Sequence, residues 1–220
     1  MNAAILYTDD DTTQQVGSKG LAYSVQNNCV TITGIGTCID TEIIIPDKMN
    51  GLPVTSIGNA AFQNCTNLTS ISIPEGVISI GSSAFKNCSN LTSVSITEGI
   101  TSIKDSTFKN CSSLTSVSIP EGVITIGLYA FSDCGSLTGV SIPAGVSNIE
   151  AQAFYNCANL TSISLPVEIK IIGQHAFVAC YTLKNVTYGG TLKQWKNIPI
   201  DSYSPLKTAT IHCTDGDLTQ

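Results

Sequence analysis

Residues 68–90 read LTSISIPEGVISIGSSAFKNCSN, and this pattern recurs along the chain with a period of 23 residues. Three residue types keep the period: a phenylalanine, a cysteine three positions later and a leucine three positions after the cysteine. Their positions are Phe62, Phe85, Phe108, Phe131, Phe154 and Phe177; Cys65, Cys88, Cys111, Cys134, Cys157 and Cys180; and Leu68, Leu91, Leu114, Leu137, Leu160 and Leu183. Since so short a unit cannot bury its own apolar face, the repeat predicts a solenoid in which each unit stacks on its neighbours.

The repeating unit divides into three pieces. Leu68, Ile71 and Ile73 have the spacing of a short strand that places its apolar side chains on one face. A second β-prone piece follows at residues 77–80, after a turn. Residues 82–87 are interpreted as a single helical turn that directs the phenylalanine inward, and the asparagine that ends this turn as a left-handed cap residue.

The two ends of the chain depart from the repeat. Apolar residues alternate on both sides of residues 26–28, which predicts a β-hairpin that caps the stack. Towards the C-terminus Leu206 keeps the period, whereas residues 191–198 look helical, so a degenerate unit is expected to close the stack. The predicted fold is therefore mainly β, a curved solenoid of stacked 23-residue units with a cap at each end. The expected divisions are a flexible lead-in (1–20), the hairpin cap (21–42), the repeat solenoid (43–183) and the C-terminal capping unit (184–220).

The composition excludes several classes of protein. Apolar residues make up 42% of the chain and charged residues 12%, which argues against intrinsic disorder. No apolar run approaches the roughly 20 residues of a membrane-spanning helix, so membrane insertion is not expected. All ten basic residues are lysines and the net charge is −6, which argues against nucleic acid because arginine is the main bidentate reader of phosphate and guanine. The apolar patch in residues 1–7 is too short and uncharged for a signal peptide, so none is expected in this chain.

Nine cysteines raise the question of disulfides and metal binding. The six repeat cysteines predict a reduced, buried ladder, because their thiols would all point the same way and cysteine packs as a small apolar residue. Zinc is not expected, since no two cysteines are closer than nine positions. A disulfide between Cys29 and Cys38 is an open alternative to free thiols.

No set of residues predicts catalysis or a cofactor. His175 occupies a position that varies from unit to unit, as expected of a surface site. The aspartates at 9–11 and 215–217 supply too few spaced oxygen ligands for a calcium loop, and no phosphate-binding loop is found. We interpret the glutamates that recur with the period as a solvent-exposed edge of the predicted stack, and they are Glu75, Glu98 and Glu121. The chain is therefore not expected to be an enzyme, to bind a metal or to need a cofactor.

The unit L-x-x-I-x-I-P-x-x-V-x-x-I-G-x-x-A-F-x-x-C resembles the BspA-like, or Treponema-type, leucine-rich repeat. The segment IIIPDKMNGLPVTSIGNAAF at 43–62 resembles the first repeat of such proteins, and TYGGTLKQWKNI at 187–198 resembles part of their closing segment. The resemblance covers roughly residues 20–217. Thr97 in place of proline and Ala144 in place of glutamate are small departures.

This resemblance implies a binding module that is secreted or attached to the cell surface. Its partner would be a protein, either a host matrix protein or another bacterial surface protein, as in adhesins. The family offers no common set of ligand residues to transfer to this chain. The resemblance leaves the oligomeric state open.

The outward face of the predicted strands is the candidate partner-binding surface. It carries small hydroxyl side chains in register, and no charge. Its candidate residues are Ser70, Ser72, Ser93, Ser95, Ser116, Ser118, Ser141, Ser162, Ser164 and Thr187. The same residues are also what a soluble sheet needs on its wet side, so a structural spacer without a ligand is the alternative function. Recognition of a glycan or another ordered lattice is a third, through a neighbouring row formed by Thr69, Thr92, Thr115, Thr138 and Thr161.

Three aromatic residues near the C-terminus fall outside the repeat pattern. Tyr188, Trp195 and Tyr203 are either part of the core of the cap or the edge of a binding site. Aromatic residues of this kind often carry the binding energy of an interface.

Overall fold

The computed structural model describes residues 5–6 and 17–219 and confirms the predicted stack of 23-residue turns. Each turn supplies one short strand to a main sheet and another to a second sheet. Equivalent residues of successive turns lie side by side in parallel register, as Ser70 does with Ser93. Most of the expected flexible lead-in, residues 1–4 and 7–16, lies outside the described residues.

The N-terminal end is closed by the predicted hairpin. The first six strands of the chain are β1 (Ile5–Leu6), β2 (Ala22–Gln26), β3 (Cys29–Gly34), β4 (Glu42–Ile44), β5 (Lys48–Met49) and β6 (Leu52–Ile57), and the hairpin consists of β2 and β3. Strands β2 and β3 pair antiparallel through Asn27 and Asn28, whose φ angles of 50° and 58° suit a tight hairpin turn. On its other side β3 pairs in parallel with β6, so the hairpin covers the first turn of the stack.

The repeats then alternate between the two sheets. Their strands are β7 (Ser70–Ser72), β8 (Ser79–Ile80), β9 (Ser93–Ser95), β10 (Ser102–Ile103), β11 (Ser116–Ser118), β12 (Thr125–Ile126), β13 (Gly139–Ser141), β14 (Asn148–Ile149), β15 (Ser162–Leu165) and β16 (Ile171–Ile172). The odd-numbered strands continue the main sheet that begins at β4, which consists of two parallel ladders, one from β4 to β11 and one from β13 onward, that adjoin at β11 and β13. Strands β10, β12, β14 and β16 form one parallel ladder of the second sheet.

The C-terminal unit keeps the main sheet but abandons the second one. Its elements are β17 (Asn185–Tyr188), α1 (Leu192–Trp195), a 3₁₀ turn (Pro205–Lys207), β18 (Thr210–Cys213) and β19 (Gly216–Leu218). Helix α1 begins at a capping box in which Thr191 and Gln194 satisfy each other's backbone amides. Its Trp195 is buried with the ring centroid 5.4 Å from that of Tyr188, so these two aromatics belong to the core of the cap.

The six repeat phenylalanines form a continuous stack through the centre of the molecule. Successive ring centroids lie 5.2–5.5 Å apart, and the planes differ by no more than 10°. Every one of these rings is fully buried. This stack of six rings, which we call the spine, therefore joins each unit to the next through a contact that has the same geometry in every repeat.

The single helical turn predicted at residues 82–87 is wrong. Ser83 and Asn87 both have left-handed backbone, with φ angles of 58° and 63°, and only the second was expected. Alternate amides of this segment donate to the following unit, while those between them donate back three residues along the chain. The first kind joins Ser83 to Asp105, Phe85 to Thr107 and Asn87 to Lys109. The segment is thus a third ladder between units, which a helical turn could not form.

Candidate functional site

From β7 to β17 the outward side of the main sheet carries mostly small polar side chains, as the strand pattern predicts, whereas the exposed Glu42 and Ile44 of β4 lie at one end of it. We call this surface the hydroxyl face, and it consists of Ser70, Ser72, Ser93, Ser95, Ser116, Ser118, Ser141, Ser162, Ser164 and Thr187. Ser70 and Ser164 are half-buried and the other members are exposed. Because the strands are parallel and in register, Ser95 lies beside Ser118 and Ser141 beside Ser164.

The hydroxyl groups of this face are not engaged by the part of the chain that the structure describes. Among the described residues, no side-chain hydrogen bond involves any of its members. Each hydroxyl can donate one hydrogen bond and accept two. The face therefore offers a regular, uncharged array of donors and acceptors to whatever docks on it.

The neighbouring threonine row differs, because its hydroxyls are engaged. The Oγ1 of Thr92 donates to the carbonyl of Thr69 at 3.1 Å, and that of Thr115 donates to Thr92 at 3.2 Å. Thr161 repeats the contact on Thr138 at 3.0 Å. These side chains therefore strengthen the link between units, and fewer of their donors remain for an external lattice.

The cysteine ladder is also structural. The Sγ of Cys88 donates to the carbonyl of Phe62 at 3.1 Å, and the later repeat cysteines make the same bond to the phenylalanine 26 residues earlier. All nine cysteines are free thiols, so the open alternative of a disulfide between Cys29 and Cys38 is not realised. Burial raises the pKa of Cys88 and of Cys134 to about 12.

This burial predicts how the thiols react. At pH 8 iodoacetamide is expected to alkylate the half-buried Cys29, Cys65 and Cys213 first, and the five fully buried repeat cysteines at least about tenfold more slowly, since the thiolate is the reacting species. Mass spectrometry of peptides after timed alkylation measures the order in which the cysteines react, and equal rates at all nine positions would contradict the buried ladder.

The raised pKa also makes stability depend on pH. Because the pKa is raised in the folded state, the buried thiols stabilise the fold fully below pH about 9 and lose that contribution as the pH rises towards 12.

Each of the two histidines is paired with an aspartate. The Nε2 of His175 lies 3.3 Å from Oδ2 of Asp201, and the Nδ1 of His212 lies 3.0 Å from Oδ1 of Asp217. The first pair joins the last repeat to the C-terminal unit, and the second lies within that unit. The described residues contain no group of three or more histidine, cysteine or carboxylate side chains placed to hold a metal ion.

A cleft opens at the C-terminal end, where the second sheet stops. It has a volume of about 500 Å³ and lies between residues 172–175 and the loop 199–203. Asp201 fixes the loop by accepting from the amides of Tyr203 at 2.9 Å and His175 at 3.0 Å. These contacts, that of Tyr203 first, lower the pKa of the Asp201 carboxyl.

The third C-terminal aromatic lies at this cleft. Tyr203 is 79% exposed, so it is not part of the core that holds Tyr188 and Trp195. The repeat phase gives no reason to connect His175 with Asp201, so the sequence did not predict this cleft. The available signal was the loss of the strand pattern after Ile172 together with the unpatterned segment 191–203.

A family model described as BspA type leucine rich repeat region, in six copies, matches residues 37–158 and again 101–216. The chain belongs to the BspA-type leucine-rich repeat family. The predicted resemblance is thereby confirmed. BspA-type repeats are generally non-enzymatic, and leucine-rich repeat domains generally mediate protein interactions.

Solved structures of other leucine-rich repeat proteins share this BspA-type fold. One from Bacteroides ovatus is 27% identical with a TM-score of 0.75, over 92% of this chain and 52% of that one. One from Treponema pallidum is 29% identical with a TM-score of 0.70, over 81% of this chain and 88% of that one. A leucine-rich cell surface protein from Faecalibacterium prausnitzii is 29% identical with a TM-score of 0.56, over 83% of this chain and 41% of that one.

This BspA-type chain thus spans about half the length of the Bacteroides ovatus protein. The comparison with curated proteins found no match. Within the described part of the chain, no helix has the length and apolar character needed to cross a membrane.

Proposed function

We propose that this chain is a non-catalytic protein-binding module, secreted or displayed at the cell surface, which docks a partner protein on its hydroxyl face. The observation that carries the proposal is the set of exposed, unengaged hydroxyls in register along the main sheet. An extended regular surface of this kind is what repeat proteins use for binding. The cell-surface protein of Faecalibacterium prausnitzii, which has a related fold, supports the location.

The chemistry of the hydroxyl face limits the kinds of partner protein that could bind to it. Serine hydroxyls can match backbone amides and carbonyls, and their small size lets another chain approach closely. The face has no aromatic or arginine side chain, which are the residues that dominate tight interfaces. The partner therefore supplies its own anchoring side chains, and we propose a matrix protein or another bacterial surface protein in this role.

The proposal is tested with a triple variant in the centre of the face. Labelled protein is applied to an array of matrix proteins and glycans, beside Ser95→Lys/Ser118→Lys/Ser141→Lys. Three ammonium groups in an interface without partners are expected to lower affinity by roughly tenfold or more, because burying an unpaired charge is costly. Circular dichroism first establishes that the variant folds.

The matched control adds the same charge directly before three strands of the second sheet. Ile78→Lys/Thr101→Lys/Ile124→Lys places three lysines at exposed positions, where the two isoleucines are 61% and 57% exposed. This control is expected to bind as the unchanged protein does. Binding that survives the serine variant would place the site elsewhere, and an array without any bound protein would favour the structural spacer.

A further inference from the structure

The outer edge of β16 carries main-chain groups that no strand takes up. The amides of Ile171 and Gly173 donate inward, to carbonyls of the preceding unit. Since successive residues of a strand point to opposite sides, the N–H and C=O of Ile172 face outward. Strand β16 ends its ladder, and among the described residues no strand pairs with it on that side. Such an edge is a ready template for one more strand.

The space beside this edge is shaped by apolar side chains. Ile172 and Ile200 line the cleft of about 500 Å³, with the exposed ring of Tyr203 at its margin. A second depression of about 400 Å³ shares Ile200 and extends past Trp195 to Leu218. The two depressions meet at Ile200, which places an apolar side chain next to an open strand edge.

The charge of this end is opposite to that of the rest of the chain. Residues 169–220 contain five lysines and three aspartates, a net side-chain charge of +2, whereas residues 1–168 have a net charge of −8. Lys196 and Lys207 are exposed and both border the second depression. The carboxylate of Asp201 accepts from the amides of His175 and Tyr203. Asp215 accepts from the amide of Leu192, and Asp217 pairs with His212. An acidic ligand is therefore attracted to this end and repelled by the remainder of the protein.

We propose that the C-terminal cleft binds an extended acidic segment of a partner protein, which adds as a strand to the edge of β16. The main chain of the segment pairs with Ile172, an apolar side chain rests on Ile200, and its carboxylates face Lys196 and Lys207. Main-chain pairing supplies affinity in this mode, and the flanking side chains supply selectivity. This site lies apart from the hydroxyl face and does not rest on the function proposed for that face.

The test uses three labelled octapeptides and fluorescence anisotropy at low salt. One alternates glutamate with valine, a second alternates lysine with valine, and a third is the glutamate peptide with every other amide N-methylated. The glutamate peptide is expected to bind. The lysine peptide should bind at least about tenfold more weakly because of its charge, and the N-methylated peptide likewise because it cannot complete a strand pair.

Two charge-reversal variants locate the site. Lys196→Glu/Lys207→Glu is expected to weaken binding of the glutamate peptide by roughly tenfold, since it removes two attractions and adds two repulsions. Lys86→Glu/Lys104→Glu carries the same change in net charge outside residues 169–220 and is expected to change affinity by less than about twofold. The triple lysine variant of the hydroxyl face should still bind the peptide, which separates the two sites.

Three results would overturn the proposal. Equal weakening by both charge-reversal pairs would indicate non-specific attraction to lysine. Undiminished binding of the N-methylated peptide would exclude strand addition. Self-association of the protein that the glutamate peptide disperses, measured by analytical ultracentrifugation, would assign the edge to a second copy of the chain instead of a partner.

Discussion

Replacing Phe108 by alanine is expected to lower the free energy of unfolding by about 3–5 kcal/mol. The ring is fully buried, and its centroid lies 5.4 Å from those of both Phe85 and Phe131. The truncated side chain leaves a cavity between two rings that the ladders on either side hold at a fixed spacing. Relaxation into that space is therefore limited, and the full cost of the cavity is expected. Urea unfolding followed by circular dichroism measures the difference.

The control for Phe108 is an aromatic residue outside the spine. Tyr181 is 82% exposed, and Tyr181→Ala is expected to change stability by no more than about 0.5 kcal/mol. A loss below about 1 kcal/mol for Phe108→Ala would show that neighbouring units close the gap and that the spine does not set their spacing.

Gly173→Ala is expected to destabilise the protein by about 1–3 kcal/mol. A Cβ at this position would meet the backbone nitrogen of Ala151 and would lie 2.6 Å from the carbonyl carbon of Glu150. Both atoms belong to the main chain of the preceding unit, so neither can move aside as the end of a flexible side chain could. The added methyl group must push two units apart against their shared hydrogen bonds. The same urea titration measures the effect.

Gly135 provides the matched substitution. A Cβ there would have no atom within 4 Å. Gly135→Ala is therefore expected to be neutral or to stabilise by up to about 1 kcal/mol, because alanine restricts the unfolded chain. Equal losses for the two alanine variants would mean that the close approach at Gly173 is relieved at little cost.

The spine and the main sheet could be predicted from the sequence because each depends on one residue type at one phase. A phenylalanine recurs every 23 residues from Phe62 to Phe177, and a residue type fixed so strictly in six units indicates a buried, repeated contact. Ile71 and Ser72 alternate as a strand requires, so the buried and outward faces followed directly. The division of the chain into residues 1–20, 21–42, 43–183 and 184–220 stays a prediction.

The segment around Ser83 could not be predicted in the same way. Six units have left-handed backbone at this phase, yet the residues there are unrelated in type: Ala60, Ser83, Ser106, Tyr129, Gln152 and His175. Glycine or asparagine would have signalled such a backbone, and neither is present. The conformation comes from hydrogen bonds to the next unit, which compensate for the strain.

The C-terminal cleft was missed for a related reason. In the earlier units the amide at the phase of His175 donates to a main-chain carbonyl of the next unit, as Gln152 does to Gln174. After His175 no such carbonyl follows, and the carboxylate of Asp201, 26 residues later, accepts instead. A single side chain that replaces a missing backbone group leaves no periodic trace in the sequence.

Because the phenylalanine rings are evenly spaced, the length of the stack is set in equal steps of one repeat. Every internal unit makes the same contacts with both neighbours, so a gene that gained or lost 23 codons would still encode a closed stack between the same two ends. Each such event would change the distance between the ends by about 5 Å, the spacing of one strand. The length of such a solenoid can therefore change in steps of one repeat while the core contacts within each repeat stay the same.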